Sequence, residues 1–228
     1  MAVREVTSNQ AGVHEHLETT VHKHLTHLWR KPLSGFSEDI FATVTAWLAA
    51  TPGSLILDSG CGIGESSVQL ARQFPNSKVL GLDRSEARLA KLNRKTEVPD
   101  NCLVVRADAE DLWRQLHEAG IFPEQHYLLF PNPYPKAAQL NQRWHGSPVF
   151  PYLLALGGKL EVRSNWQVYL EEFSLAVNIA TGISPQIDTY RVSQPISAFE
   201  AKYAGANQPL WRLSVQLPAL TRVYSKQD

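Results

Sequence analysis

Cysteine is scarce in this chain of 228 residues, which holds only Cys61 and Cys102. Their number and spacing fit neither a disulfide framework nor a metal site. No apolar run is long enough to cross a bilayer, and no secretory signal peptide is recognisable. The 22 basic and 22 acidic residues cancel, so net charge offers no general attraction to nucleic acid. We therefore expect a cytoplasmic globular protein without a metal or a membrane partner.

Glycines recur at every second position after the first strand-like run. An apolar run ends at Asp58, and Gly60, Gly62 and Gly64 precede a small-residue helix start. The pattern predicts a strand, a tight turn and a helix N-terminus, where glycines let the backbone approach a ligand. A pyrophosphate is disfavoured, because Glu65 would repel it at the helix start. S-adenosylmethionine (S-adenosyl-L-methionine) has no phosphate, and its ammonium group suits Asp58.

Acidic residues also end the next two predicted strands. Asp83 follows an apolar run and is expected to accept both ribose hydroxyls of the cofactor. Asp108 is expected to accept from the adenine amino group, while its own amide or that of Ala109 meets a ring nitrogen. Capping of the following helix by Asp108 is the alternative, and both roles are compatible. A glycine turn in another kind of α/β protein is disfavoured because Asp58 and Asp83 are both in register.

Strand and helix patterns alternate along the chain. Strands are predicted at 54–58, 78–82, 103–107, 126–130, 159–163, 187–192 and 211–217, and helices at 66–74, 85–94, 109–119, 149–156 and 166–180. The order predicts an α/β fold of the Rossmann-like class I S-adenosylmethionine-dependent methyltransferase type. Its sheet is expected to be mostly parallel and seven-stranded, with antiparallel C-terminal strands. Residues 1–45 are predicted to form an N-terminal helical extension and residues 46–228 the methyltransferase domain.

The N-terminal extension is rich in histidine. Five histidines share a helix-like stretch with an apolar face, namely His14, His16, His22, His24 and His27. We interpret the stretch as a docking helix with a polar face near the substrate cleft. A metal site at His24 and His27 is disfavoured, since no acidic or cysteine partner has suitable spacing. Lys23, Arg30 and Lys31 could contribute phosphate contacts.

Three prolines stiffen the segment after the fourth predicted strand. Within it Asn132 offers a carbonyl oxygen, Tyr134 an aromatic face and Lys136 a cation. Amino methyltransferases place an Asn or Asp, a proline and an aromatic residue at this strand end. We therefore predict that the methyl acceptor meets this segment, with Asn132 and Lys136 as catalytic candidates. A purely structural proline-rich loop is the alternative.

The segment Phe-Pro-Asn-Pro-Tyr-Pro-Lys at 130–136 resembles the F-P-D-P-W-P-K signature of the bacterial tRNA guanine-N7 methyltransferase family. Residues 164–166 are similar to that family's T-D-W, and residues 197–200 to its T-x-[FY]-E. The resemblance implies methylation of N7 of guanine in tRNA by direct in-line transfer. No general base is needed, because N7 has a free lone pair. It also implies that Asn132, Lys136, Asn165, Ser197 and Glu200 line the substrate side. With the Tyr134 ring, which is expected to stack on the base, the predicted substrate-binding residues are Tyr134, Lys136, Asn165, Ser197 and Glu200.

Three departures from the family keep other functions open. Asn132 and Asn165 replace two aspartates, which should weaken stabilisation of the cationic product. Residues 137–144 hold one cation, Arg143, where the family has a basic stretch that meets tRNA. The alternatives are a methyltransferase of the same fold acting on an exocyclic amine or a small molecule, and a cofactor-binding partner protein without catalysis. Either a monomer or a homodimer is compatible with the sequence.

Overall fold

A computed structural model of the chain describes residues 6–50, 52–92 and 97–223. Within these residues the helices are α1 (Leu17–Thr26), α2 (Ser37–Ala50), α3 (Glu65–Gln73), α4 (Glu86–Leu89), α5 (Ala109–Glu118), α6 (Phe150–Ala155), α7 (Gln167–Thr181) and α8 (Ala198–Gly205). The strands are β1 (Ser54–Ser59), β2 (Ser77–Asp83), β3 (Cys102–Arg106), β4 (Gln125–Leu129), β5 (Gly158–Ser164), β6 (Gln186–Thr189) and β7 (Trp211–Leu217). Two short 3-10 helices, Ala137–Gln142 and Trp144–Gly146, lie between β4 and α6.

The seven strands form one sheet in the order β3-β2-β1-β4-β5-β7-β6. Strands β1 to β5 are parallel, and β7 runs antiparallel to both β5 and β6. The central strands are buried on both faces, as expected when helices cover a parallel sheet. This topology confirms the predicted fold class.

Two predicted elements are shorter in the structure. The predicted strand 187–192 ends at Thr189, because its neighbour β7 begins at Trp211, the residue that pairs with Thr189. The predicted helix 85–94 has its regular part at Glu86–Leu89. Leu92 then turns inward and packs in the core cluster of Ile56 and Val68. Residues 93 and 94 of that prediction lie outside the described residues.

The N-terminal helices cover one side of the sheet layer. Helix α1 buries Leu17 and Val21 and packs against α7, while α2 packs against α5. A domain boundary at residue 45 would fall inside α2, and the division into extension and domain stays a prediction. Of the described helices, none combines the length and apolar character needed to cross a bilayer.

Candidate active site

A cavity of about 570 Å³ opens at the carboxyl edge of the parallel strands. It is large enough for a nucleoside-sized ligand. Six residues predicted from the sequence line it: Gly60, Asp83, Asp108, Ala109, Asn132 and Tyr134. Other lining residues include Lys31, Arg84, Arg88, Glu110, Trp144 and Tyr169. The structure therefore joins the predicted cofactor side and the predicted acceptor side in one space.

The glycine turn owes its shape to backbone angles that only glycine adopts easily. Gly60, Gly62 and Gly64 have φ values of 80°, 63° and 86°. The amides of Gly60 and Cys61 donate to the carbonyl oxygen of Leu82 at 2.8 and 3.0 Å, which ties the turn to β2. Gly60 lines the cavity, whereas Gly62 and Gly64 shape the turn behind it.

Asp83 is held at the cavity wall by backbone donors. Its carboxylate accepts from the amide of Gly62 at 3.0 Å and from that of Ser85 at 2.7 Å, and Arg88 lies 3.5 Å away. The residue is 6% exposed and lines the cavity. Each carboxylate oxygen can accept more than one hydrogen bond, so capacity for the hydroxyls of a ligand remains.

Asp58 lies beneath the turn instead of in the cavity lining. Its Oδ2 accepts from the hydroxyls of Ser66 and Ser67 at 2.6 and 2.7 Å, while its buried Oδ1 has no partner. Burial raises the pKa of Asp58 to about 6, although the two serines act in the opposite direction. An unpartnered buried carboxylate oxygen is costly and favours a donor supplied by a ligand or a bridging water.

Asp108 both caps a helix and lines the cavity. Its side chain accepts from the amide of Glu110 at 3.0 Å at the start of α5, which confirms the predicted cap. Lys31 reaches the same end of the cavity from the N-terminal extension. Its Nζ lies 2.7 Å from Glu110 Oε2 and 4.0 Å from Asp108 Oδ2. Lys31 is therefore paired with acidic residues, and this pairing competes with the predicted contact to phosphate.

The histidines of the N-terminal extension do not gather around one point. His24 Nε2 lies 3.1 Å from the carbonyl oxygen of Gly146, and burial lowers the pKa of His24. The ring of His27 faces the carbonyl oxygen of Lys23 at 2.9 Å. Within residues 6–50, 52–92 and 97–223, no three His, Cys, Asp or Glu side chains are arranged to hold a metal ion.

The segment of residues 130–136, called here the proline loop, has an irregular backbone. Phe130 and Tyr134 adopt positive φ values of 53° and 44°, which are uncommon for residues other than glycine. Asn132 and Tyr134 line the cavity, and Asn132 Oδ1 lies 3.5 Å from the amide of Tyr134. Lys136 is exposed and does not line the cavity.

A buried ionic network lies behind the proline loop, and no sequence pattern predicted it. Both Arg143 and Glu172 are fully buried. Glu172 Oε2 accepts from Arg143 and from His145, the latter at 2.9 Å. Its Oε1 accepts from the side chain of Gln10 and from the amide of His14 at 2.9 Å. Burial alone would raise the pKa of Glu172, but His145 and Arg143 hold it at about 2.

The remaining predicted substrate residues lie apart from the cavity lining. Glu200 is 1% exposed and accepts from Arg163 at 2.5 Å, from the hydroxyl of Tyr190 at 2.7 Å and from the amide of Ile196 at 2.8 Å. Ser197 caps α8 by accepting from the amide of Glu200 at 3.2 Å. The spacing Ser-x-x-Glu is that of a capping box, but Glu200 accepts here from the amide of Ile196 instead of the amide of Ser197.

Asn165 follows β5 and lies near the C-terminal part of the chain. Its Nδ2 donates to Gln208 Oε1 at 3.0 Å. The structure thus brings six predicted site residues together at the cavity. Seven lie outside its lining, namely Asp58, Gly62, Gly64, Lys136, Asn165, Ser197 and Glu200.

Comparison with known proteins finds that the chain is similar to methyltransferases. A family described as "Putative methyltransferase" matches residues 52–213. A tRNA (guanine-N(7)-)-methyltransferase of Acidovorax sp. is 27% identical over 171 residues, which cover 70% of this chain and 66% of the relative. A protein of Nitrosococcus oceani with the same name is 29% identical over 199 residues, which cover 84% of this chain and 82% of that relative.

A solved structure of an antibiotic-related methyltransferase has the same fold. It superposes with a TM-score of 0.61 at 17% identity, over 83% of this chain and 97% of that protein. The chain spans about two thirds of the length of the Acidovorax relative.

Proposed function

The chain belongs to this methyltransferase family, and from that premise we propose that it transfers the methyl group of S-adenosylmethionine to N7 of a guanine in tRNA. One observation carries the proposal. A single cavity is lined by Asp83 and Asp108 on one side and by Asn132 and Tyr134 on the other. The named function of the relatives from Acidovorax and Nitrosococcus supports the choice of acceptor.

The residues of the cavity fit the proposed cofactor. Asp83 has free acceptor capacity for a ribose diol, and Gly60 leaves space beside it. Asp108 and Ala109 lie at the adjoining end, where an adenine would find an acceptor and a backbone amide. The buried unpartnered Oδ1 of Asp58 suits a cationic ammonium group reached through water. When bound, the cofactor supplies a methyl group on a positively charged sulfur.

The chain's own residues would act mainly by orientation. N7 of guanine carries no proton, so no side chain has to act as a base, and holding N7 in line with the methyl group is the main task. Asn132 offers an amide oxygen to the donor edge of the guanine, and the Tyr134 ring a stacking face. We propose Lys136, Asn165 and Ser197 as contacts to the surrounding RNA, and Glu200 as a support of α8 beside them.

The proposal is tested by tritiated methyl transfer from S-adenosylmethionine to tRNA that lacks N7-methylguanosine, followed by nucleoside analysis. Label in N7-methylguanosine is the expected result. The site variant Asp83→Asn should reduce methyl transfer in parallel with cofactor binding, which would show that the transfer depends on this cavity. Absence of label from wild-type protein that binds the cofactor in a calorimeter would refute the proposed acceptor.

A second candidate function is methylation of another acceptor, such as an exocyclic amine or a small molecule. One observation favours it: the single cation of residues 137–144, Arg143, is fully buried and cannot reach a phosphate. Because each phosphate contact adds to the salt dependence of binding, this candidate predicts a shallow salt dependence for tRNA. Label that appears in a base other than N7-methylguanosine would support it.

A further inference from the structure

The proline loop cannot maintain its shape through regular backbone pairing. Its prolines at 131, 133 and 135 have no amide hydrogen to donate. Tyr134 also adopts a positive φ of 44°, a conformation that needs support from surrounding groups. Backbone oxygens in such a loop must find donors elsewhere in the molecule.

Arg143 supplies two of these donors from behind the loop. Its Nε and Nη2 donate to the carbonyl oxygen of Tyr134 at 3.1 and 3.0 Å, and Nη2 also donates to that of Lys136 at 3.2 Å. The rigid guanidinium thus spans two carbonyl oxygens of the loop, which a lysine ammonium cannot reproduce with the same geometry. Glu172 balances its buried charge.

The N-terminal segment supports the loop from the other side. The Ser8 hydroxyl donates to the carbonyl oxygen of Pro135 at 2.5 Å, and Asn9 Oδ1 accepts from the amide of Ala137 at 3.1 Å. Gln10 Oε1 accepts from Arg143 Nη2 at 3.1 Å, which links the two supports. Residues 8–10 therefore run beside the outer part of the loop and hold its backbone by side-chain hydrogen bonds.

We propose that Ser8, Asn9 and Arg143 are positioning residues, which hold the proline loop so that Asn132 and Tyr134 face the methyl acceptor. The role in catalysis rests on the proposed methyl transfer. Ser8 and Arg143 bond the loop backbone, Asn9 bonds the adjoining amide of Ala137, and none of the three lines the cavity. Their loss should therefore misplace the acceptor side and leave the cofactor side, built by β1, β2 and α5, intact.

The kinetic test uses the double variant S8A/N9A in the full chain. Both side chains are exposed and bond the backbone of Pro135 and Ala137, so their removal should leave the fold stable. We expect kcat for methyl transfer to fall by about 10-fold or more, since small misplacements at a reacting centre are costly. The cofactor Kd should stay within about twofold, because Asp83 and its donors are untouched. Thr43→Ala, an exposed hydroxyl deletion on α2, is the matched control and should change neither quantity.

Conservative variants separate positioning from a general loss of structure. Ser8→Thr keeps the hydroxyl donor, and Asn9→Asp keeps the acceptor for the Ala137 amide, so both should retain kcat near the wild-type value. Arg143→Lys keeps the charge opposite Glu172 but loses the fork, and its kcat should fall while cofactor binding persists. A kcat for S8A/N9A within about twofold of wild type would overturn the proposal.

Hydrogen exchange provides a readout that needs no acceptor. In S8A/N9A the peptide spanning residues 130–142 should exchange faster than in wild type, while peptides of β1 and β2 should not change. Unchanged exchange in the loop would also refute the positioning role. If wild-type protein transfers no methyl group to RNA, the proposed function fails, and the exchange experiment still decides whether Ser8 and Asn9 hold the loop.

Discussion

Replacing Glu172 with glutamine should destabilise the protein severely. The Glu172 side chain is fully buried, and its two oxygens accept from four donors. A glutamine keeps the shape but turns one oxygen into an NH2 group. In one amide orientation this group faces Arg143 and His145, and in the other it faces Gln10 and the His14 amide. Either orientation sets donors against donors and leaves the Arg143 charge unbalanced.

The expected loss of stability follows from the burial of the Arg143 charge, which remains without its partner. Breaking a buried ion pair by removing one partner costs about 3–5 kcal/mol. Urea titrations measure this loss as a decrease in the free energy of unfolding, because the denaturation midpoint shifts with stability. Glu171→Gln on the same helix is the matched control. Its carboxylate bonds only to the exposed Gln167 side chain among the described contacts, so we expect a loss below about 0.5 kcal/mol.

The pH dependence gives a second test of the same reasoning. The pKa of Glu172 falls from 4.5 to about 2 on folding, because His145 and Arg143 stabilise its charged form against the effect of burial. The unfolded chain therefore takes up this proton first as the pH decreases. The stabilisation is complete above about pH 4.5 and is lost as the pH falls towards 2. A Glu172→Gln loss below about 1 kcal/mol, or one equal to that of Glu171→Gln, would refute the ionic role of this residue.

Three further predictions concern the cofactor side of the cavity. Asp83→Asn should raise the Kd for S-adenosylmethionine by about 10- to 100-fold in calorimetry, the value of a hydrogen bond to a charged group, and an unchanged Kd would argue against the ribose contact. Gly81→Ala should cost about 1–3 kcal/mol in urea unfolding, because its Cβ would lie 2.1 Å from Ser67 Oγ, whereas Gly35→Ala meets nothing within 4 Å and should have little effect. Since folding raises the pKa of Asp58 from 3.8 to about 6, its contribution to stability should fall by up to about 3 kcal/mol as the pH rises through that interval. Asp58→Asn should remove this component from the stability–pH curve, and identical curves for both proteins would contradict the shift.

The position of the predicted cofactor-binding residues at one edge of the sheet could be predicted, because these residues follow local patterns. Asp83 and Asp108 end apolar runs, and the carboxyl ends of neighbouring parallel strands meet at one edge of the sheet. The glycines at 60, 62 and 64 were recognisable because their turn needs positive φ values that other residues resist. Asn132 and Tyr134 were identified for the same reason, since they directly follow the fourth strand.

The support of the acceptor side was not predictable, because it depends on contacts between distant residues. Ser8 and Pro135 are 127 positions apart, and Arg143 and Glu172 are 29 apart. In the sequence Glu172 resembles an ordinary helical acid beside Glu171. Only the packing of α1 against α7 makes Glu172 fully buried and leaves Glu171 partly exposed. Glu200 stays a predicted substrate residue, and its sequence neighbourhood does not reveal that its carboxylate accepts from Arg163, Tyr190 and Ile196.

The sequence by itself determined the order of strands and helices, the glycine turn and the acidic residues at the strand ends, because apolar periodicity and backbone angles are local properties. Only the tertiary structure decided which charges are available to a ligand. Arg143 and Lys31 have the same formal charge in the sequence, yet one is enclosed with Glu172 and the other is paired with Glu110 at the cavity wall. Burial and the choice of partner set the availability of a charge, and both arise when distant segments pack together.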